Sequence, residues 1–268
     1  MEHVSIEVYK ALNEIREYVS RKEMDQALKL SAALVERADA LCVDERAETF
    51  TFKEFFEEVI YIYYNRPTTV LRRAEFPYAD VYLQHGSNLV ECGKYMEARE
   101  VLEKARRWAP VNCDIAFEYM ETFKAMGEME EFARLTKQTY KYAFHVPHIA
   151  RCYRNMGYYF TEKEKYAEAI MCYMVSTQIE NSDVAQREIT FINSKIQGKE
   201  LHFGSKEEIE ESIGLSTEVF KQNVEIALAY GQHFLDKGEK NGARYCIALA
   251  YQMTGNPSIR EKLESIPE

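Results

Sequence analysis

Few side chains in this sequence are spaced for chemistry. His145 and His148 stand three apart around Pro147. A zinc site needs further ligands and a supporting shell, and no cysteine pair accompanies them, so no metal is expected. Tyr61, Tyr63 and Tyr64 adjoin Arg66, Arg72 and Arg73, an aromatic–basic cluster that could stack on a base or hold a phosphate. More often such tyrosines fill gaps between helices with their hydroxyls outside. Six cysteines (Cys42, Cys92, Cys113, Cys152, Cys172 and Cys246) are dispersed without a C-x-x-C, which reads as reduced, packed thiols. No nucleophile elbow, phosphate loop or H-E-x-x-H occurs. The expectation is a protein with no catalytic residues and no cofactor.

Composition narrows the classes further. With 268 residues, 46% hydrophobic and 29% charged, the chain can bury a sizeable core. Its net charge of −10 disfavours broad phosphate-backbone binding and tolerates a basic partner. The N-terminus, MEHVSIEVYKALNEIREY, carries acids and lacks an apolar core, so neither a secretory signal nor a transit peptide is expected. No stretch approaches the ~18 apolar residues of a membrane span. Together these predict a cytoplasmic protein without a membrane association.

The elements that would position any site are helices, because apolar residues recur at three and four nearly throughout. Helices are predicted over 5–20, 24–40, 50–64, 79–92, 95–108, 113–126, 129–144, 149–161, 165–179, 183–197, 206–213, 217–236 and 240–253, followed by a short segment after Asn256-Pro257. Asn65-Arg66-Pro67 should stop the aromatic helix 50–64, and 65–77 is the least regular stretch of the first half. The turn 145–148 should break the run. Ser205 with Glu208 forms a capping box, Ser216 caps the next helix, and 198–204 reads as a linker. The domains implied are 1–78 (a helical pair, the aromatic helix and a connector), 79–183 (the array) and 184–268 (connecting helices and a last repeat), joined as one continuous solenoid.

One set of small residues recurs at fixed offsets. Gly86, Ala98, Ala105 and Pro110 are matched by Gly157, Ala169, Ser176 and Asn181, and by Gly231, Ala243, Ala250 and Gly255. Such periodicity marks units that bury their apolar faces only by stacking. With Tyr82, Leu89, Gly93, Tyr95 and Leu102, and with Tyr153, Phe160, Tyr166 and Tyr173, the pattern resembles the tetratricopeptide repeat over 79–112, 150–183 and 224–257. It is weak over 8–41 and over 113–146, where Met120, Phe132 and Thr139 replace small residues. It is absent over 42–78 and indistinct over 184–223. The resemblance implies an all-α, right-handed α-solenoid of antiparallel helix pairs, about thirteen helices in all.

In that family the first helices of successive repeats line a concave groove. Carried over residue by residue, the resemblance selects Asp80, Leu83 and Ser87; Asp114, Phe117 and Glu121; Arg151, Arg154, Asn155 and Tyr158; and Glu225, Leu228 and Gln232. Leu83, Phe117 and Tyr158 would be apolar anchors. Some members clamp a peptide carboxylate with Lys, Asn and Arg. Here the first two repeats present acids, and only Arg151, Arg154 and Asn155 could hold a carboxylate. The groove would then be mixed, acidic at one end and basic at the other, unless 65–77 or 198–204 closes it. The function implied is a non-enzymatic scaffold or adaptor that binds a peptide segment or partner domain. Self-association by stacking of repeat ends is also open. The alternative is a regulatory protein contacting nucleic acid through 205–223, a helix-turn-helix-like segment whose second helix offers Lys221, Gln222 and Asn223 but whose first carries Glu207, Glu208, Glu210 and Glu211. Those acids make nucleic acid the less favoured partner.

Overall fold

The structure, a computed structural model, describes residues 2–41, 49–196, 201 and 205–267. Fourteen helices occur among them: α1 (Glu2–Ser20), α2 (Met24–Ala40), α3 (Phe55–Asn65), α4 (Tyr78–Glu91), α5 (Tyr95–Trp108), α6 (Cys113–Ala125), α7 (Met129–Tyr140), α8 (Val146–Glu162), α9 (Tyr166–Ile179), α10 (Asp183–Ile196), α11 (Lys206–Ile213), α12 (Thr217–Asp236), α13 (Lys240–Thr254) and α14 (Pro257–Glu264). Cys42 and the linker 198–204, apart from Leu201, lie outside the described residues. The chain divides into two compact bodies, Met1–Glu128 and Met129–Glu268. In the first, α4 packs on α1, α2 and α5, and α6 packs on α4 and α5. In the second, α8 lies between α7 and α9, α9 meets α10 and α11, and α13 lies between α12 and α14. The fold is all-α, with helix pairs packed against helix pairs as in an α-solenoid.

The repeated glycines mark where two helices of a pair come closest. A Cβ built on Gly86 would lie 2.5 Å from Leu102 Cγ, one on Gly157 2.8 Å from the Tyr173 ring, and one on Gly231 2.6 Å from Ile247 Cγ1. In each pair the facing residue comes sixteen positions later, so one large side chain fills the notch left by one absent side chain. Ala98, Ala105, Ala169, Ser176, Ala243 and Ala250 are all fully buried.

The weak first repeat keeps the same turn. Four helix pairs turn through one residue of positive φ, namely Lys22, Gly93, Glu164 and Gly238, and Gly127 ends α6 in the same way. The next N–H returns to a carbonyl five residues back: Glu23 to Tyr18 (2.9 Å), Lys94 to Leu89 (2.9 Å), Glu128 to Phe123 (2.9 Å), Lys165 to Phe160 (2.9 Å) and Glu239 to Phe234 (2.8 Å). This is the Schellman closure, which satisfies carbonyls at the helix end. Repeat 8–41 therefore shares the turn although its small-residue pattern is lost. At the corresponding positions it carries Ile15 in place of the glycine and Ser31 in place of the large residue, and both are buried. The Ser31 hydroxyl lies 2.8 Å from His85 Nδ1 and accepts from Asn88 Nδ2 at 3.1 Å, joining α2 to α4.

Three expected elements change. Thr49–Phe50 is not helical; it is β1, paired in parallel with β2 (Arg72–Arg73), and α3 begins only at Phe55. The Thr51 N–H donates to Trp108 O at 2.8 Å and the Ala74 N–H to Phe50 O at 2.8 Å, which ties this stretch to other segments in extended form. The helix expected to reach 144 ends at Tyr140, and the Asn223 amide takes the carbonyls of Lys141 (3.2 Å) and Ala143 (3.0 Å). The run does break before α8, over 141–145, and Pro147 lies inside the first turn of α8, where a residue has no intrahelical N–H bond to lose. The Ser205–Glu208 capping box forms, Ser216 accepts from the Glu218 N–H at 3.2 Å, and Asn256 caps α14.

Candidate functional site

The segment between the first two helical hairpins builds one wall of a cavity in the first body. The β1–β2 ladder holds its ends together, and Phe50 and Phe52 pack on Tyr61 of α3 with ring centroids 4.8 and 5.6 Å apart. Arg73 donates to the Phe52 carbonyl at 2.8 Å. Glu57 of α3 is buried, and its carboxylate accepts from the Lys53 N–H at 2.6 Å and from Asn112 Nδ2 at 2.7 Å. Burial pushes this carboxyl above its ordinary range against the pull of those two donors. Asn112 Oδ1 in turn caps α6 by accepting from Ile115 N at 3.0 Å. The insert and the start of α6 are thus tied by one buried polar link.

Between them lies a cavity of about 240 Å³. Thr51, Phe52, Lys53, Arg73, Ala74, Glu75 and Pro77 line it from the insert; Tyr9 of α1, Ala79, Asp80 and Leu83 of α4, and Asn112, Asp114 and Ile115 line it from the helical side. Three carboxylates, Glu75, Asp80 and Asp114, face two cations, Lys53 and Arg73. Asp80 and Asp114 both stand in helix first turns, where the backbone dipole favours an anion. The Tyr9 hydroxyl donates to Asp80 Oδ2 at 3.3 Å, and Lys53 Nζ lies 3.8 Å from Asp114 Oδ2. Burial, with Asp80 alongside, raises the Tyr9 pKa above its usual value.

The structure brings Asp80, Leu83 and Asp114 to this one cavity and distributes the other groove candidates elsewhere. Ser87 is half-buried farther along α4, and Glu121 pairs with Lys124 at 3.5 Å. Phe117 is 1% exposed and Asn155 8%, so both belong to the interior and neither presents an anchor to a partner. Arg154 donates to Ser176 Oγ at 3.2 Å and Glu180 Oε2 at 3.1 Å, which ties α8 to the end of α9. Arg151 is half-buried on α8, and Tyr158 sets its ring edgewise to Phe132 at 6.2 Å. In the last repeat Leu228 is half-buried and Glu225 is exposed, while Gln232 joins Asp236 and Lys262.

The remaining chemical candidates are also placed. Tyr61 and Arg73 of the aromatic–basic cluster hold the insert together, and Tyr63 and Tyr64 meet edge to face at 5.0 Å. His145 occupies the N-cap position of α8 without a side-chain cap, its ring packed between Phe144 and His148. Among the described residues no three His, Cys, Asp or Glu side chains group as metal ligands, and no helix is long and apolar enough to cross a membrane. Cys113, Cys152, Cys172 and Cys246 are buried thiols outside any disulfide; burial raises Cys152 and Cys172 and pushes Cys246 up to about 11, which disfavours the reactive thiolate. In the helix-turn-helix-like segment Asn223 is buried under Lys141 and Ala143, and Lys221 pairs with Glu218 at 2.6 Å.

Sequence reasoning missed Tyr9, Lys53, Glu57 and Asn112. The one local signal was an acid at 57 inside an apolar helix. Its partner lies fifty-five positions away and carries no matching pattern.

No family model and no curated protein matches the chain. Among solved structures it is similar to a chain of the crystal structure of the APC/C hetero-tetramer Cut9-Hcn1, with 12% identity and a TM-score of 0.42, over 96% of this chain and 55% of that one. The chain therefore spans about half the length of that neighbour. At that distance the likeness assigns neither partner nor activity.

Proposed function

We propose that the chain is a non-enzymatic protein-interaction scaffold of tetratricopeptide type, and that its first body receives a segment of a partner protein. The observation that supports this reading is convergence: Asp80, Leu83 and Asp114, chosen by groove register in two successive repeats, line the same cavity. Its rim is charged with both signs, and its deeper surface (Phe52, Ala79, Ile115) is apolar. Concave sites of that make-up orient a guest through a few polar groups and hold it through apolar contact.

Photo-crosslinking tests it. p-Benzoylphenylalanine placed at Tyr9, which is exposed at the cavity rim, should trap one partner segment from cell extract. The same probe at Met174 on α9, also exposed, should not. The trapped segment, synthesised and titrated into the purified protein, should bind the wild type and lose at least tenfold in affinity to Lys53→Glu combined with Asp114→Lys. Equal affinity for both proteins, or equal trapping at Met174, rejects the cavity as the binding site.

A further inference from the structure

We infer that the cavity of the first body accepts the cationic end of a lysine or arginine side chain from the partner, an inference that rests on the reading above and adds the guest's chemistry. The fixed charge in the cavity is negative. Asp80 is half-buried, and among the described residues its hydrogen-bond partner is the neutral Tyr9 hydroxyl at 3.3 Å, with no cation within ion-pair distance. Lys53 Nζ lies 3.8 Å from Asp114 Oδ2 on a side chain that is 65% exposed, a pair that solvent screens and a guest cation can compete with. Arg73 is committed to the Phe52 carbonyl at 2.8 Å.

A lysine or arginine has the shape for this site as well as the charge. Its aliphatic stem can lie along Leu83 and Ile115 while its head meets the carboxylates at the first turns of α4 and α6, the amphipathic placement such side chains favour. An acidic guest would face three carboxylates and would have to draw Lys53 and Arg73 from their present partners. The wall that creates the site is the insert around β1 and β2, which lies outside the repeat pattern.

Single-residue probes isolate this chemistry. N-acetyl-arginine amide and N-acetyl-lysine amide, titrated separately into the isotope-labelled full chain, should shift the resonances of Tyr9, Leu83 and Ile115 saturably, with Kd on the order of 1–10 mM. N-acetyl-glutamate amide and N-acetyl-leucine amide should shift them far less. Asp80→Asn should weaken the cationic probes about tenfold, and Glu218→Gln in the second body should leave them unchanged. Should Asp80→Asn misfold, Asp114→Asn is read in its place, and probe selectivity on the wild type decides independently. Non-saturable shifts with the cationic probes, or stronger shifts with glutamate, overturn the inference. If the crosslinked partner segment binds through the cavity while Asp80→Asn is silent, this inference fails and the scaffold reading stands. If the cationic probes bind but no partner is trapped at Tyr9, the reverse holds.

Discussion

The Asn112 side chain makes two structural bonds: its Nδ2 donates to buried Glu57 at 2.7 Å, and its Oδ1 caps α6 through Ile115 N at 3.0 Å. The cavity wall and the helix that presents Asp114 therefore hang on one amide. A charged group as buried as Glu57 survives because each oxygen has a donor.

Replacing Glu57 by Ala should leave the Asn112 amide and the Lys53 N–H without their acceptor and cost about 2 kcal/mol. Asn112→Ala should lose the α6 cap as well and cost at least as much. Urea unfolding of the two single variants and the double variant measures this. If the single losses simply add, the two residues are not coupled as described.

Gly86→Ala should destabilise by about 1–3 kcal/mol, because the new methyl would lie 2.5 Å from Leu102 Cγ. Shortening the opposing residue should recover part of the loss, so Gly86→Ala combined with Leu102→Val should cost less than the sum of the two changes. A strictly additive thermal-denaturation cycle would falsify the notch-and-filler pairing.

Glu164 occupies at φ 57° the turn position that Gly93 and Gly238 fill in other repeats. The left-handed conformation costs a side-chain-bearing residue about 1 kcal/mol. Glu164→Gly should be neutral to stabilising, and Gly93→Ala should destabilise by about 1 kcal/mol although open space surrounds it. A melting temperature lowered by Glu164→Gly, or left unchanged by Gly93→Ala, would contradict a shared turn.

Burial holds His85 below its ordinary value of 6.5. The unfolded chain then takes up the proton first as pH falls. Stability should drop from near pH 6.5 downward through the lowered folded value, and this group should contribute no slope above that window. Urea midpoints at about pH 7.5 and pH 5.5 for wild type and His85→Gln should show a smaller acid loss in the variant. Identical losses would place the proton uptake elsewhere.

What the sequence by itself determined is the repeat and its local consequences. The glycine-to-large pairing sixteen residues apart, the Ser205 and Ser216 caps and most helix ends depend on neighbours within a turn or a hairpin, so residue type and period carry them. Ile15 and Ser31 show the limit even there: both are buried at the glycine and large positions although neither residue type fits the pattern. Tertiary structure alone decided that 49–50 pairs with 72–73 instead of joining a helix, that Phe117 and Asn155 are interior, and that Asp80 and Asp114 share a cavity with Lys53 and Arg73. Those outcomes depend on which distant segments meet. A periodic pattern reports only that a face is buried, and leaves open what covers it.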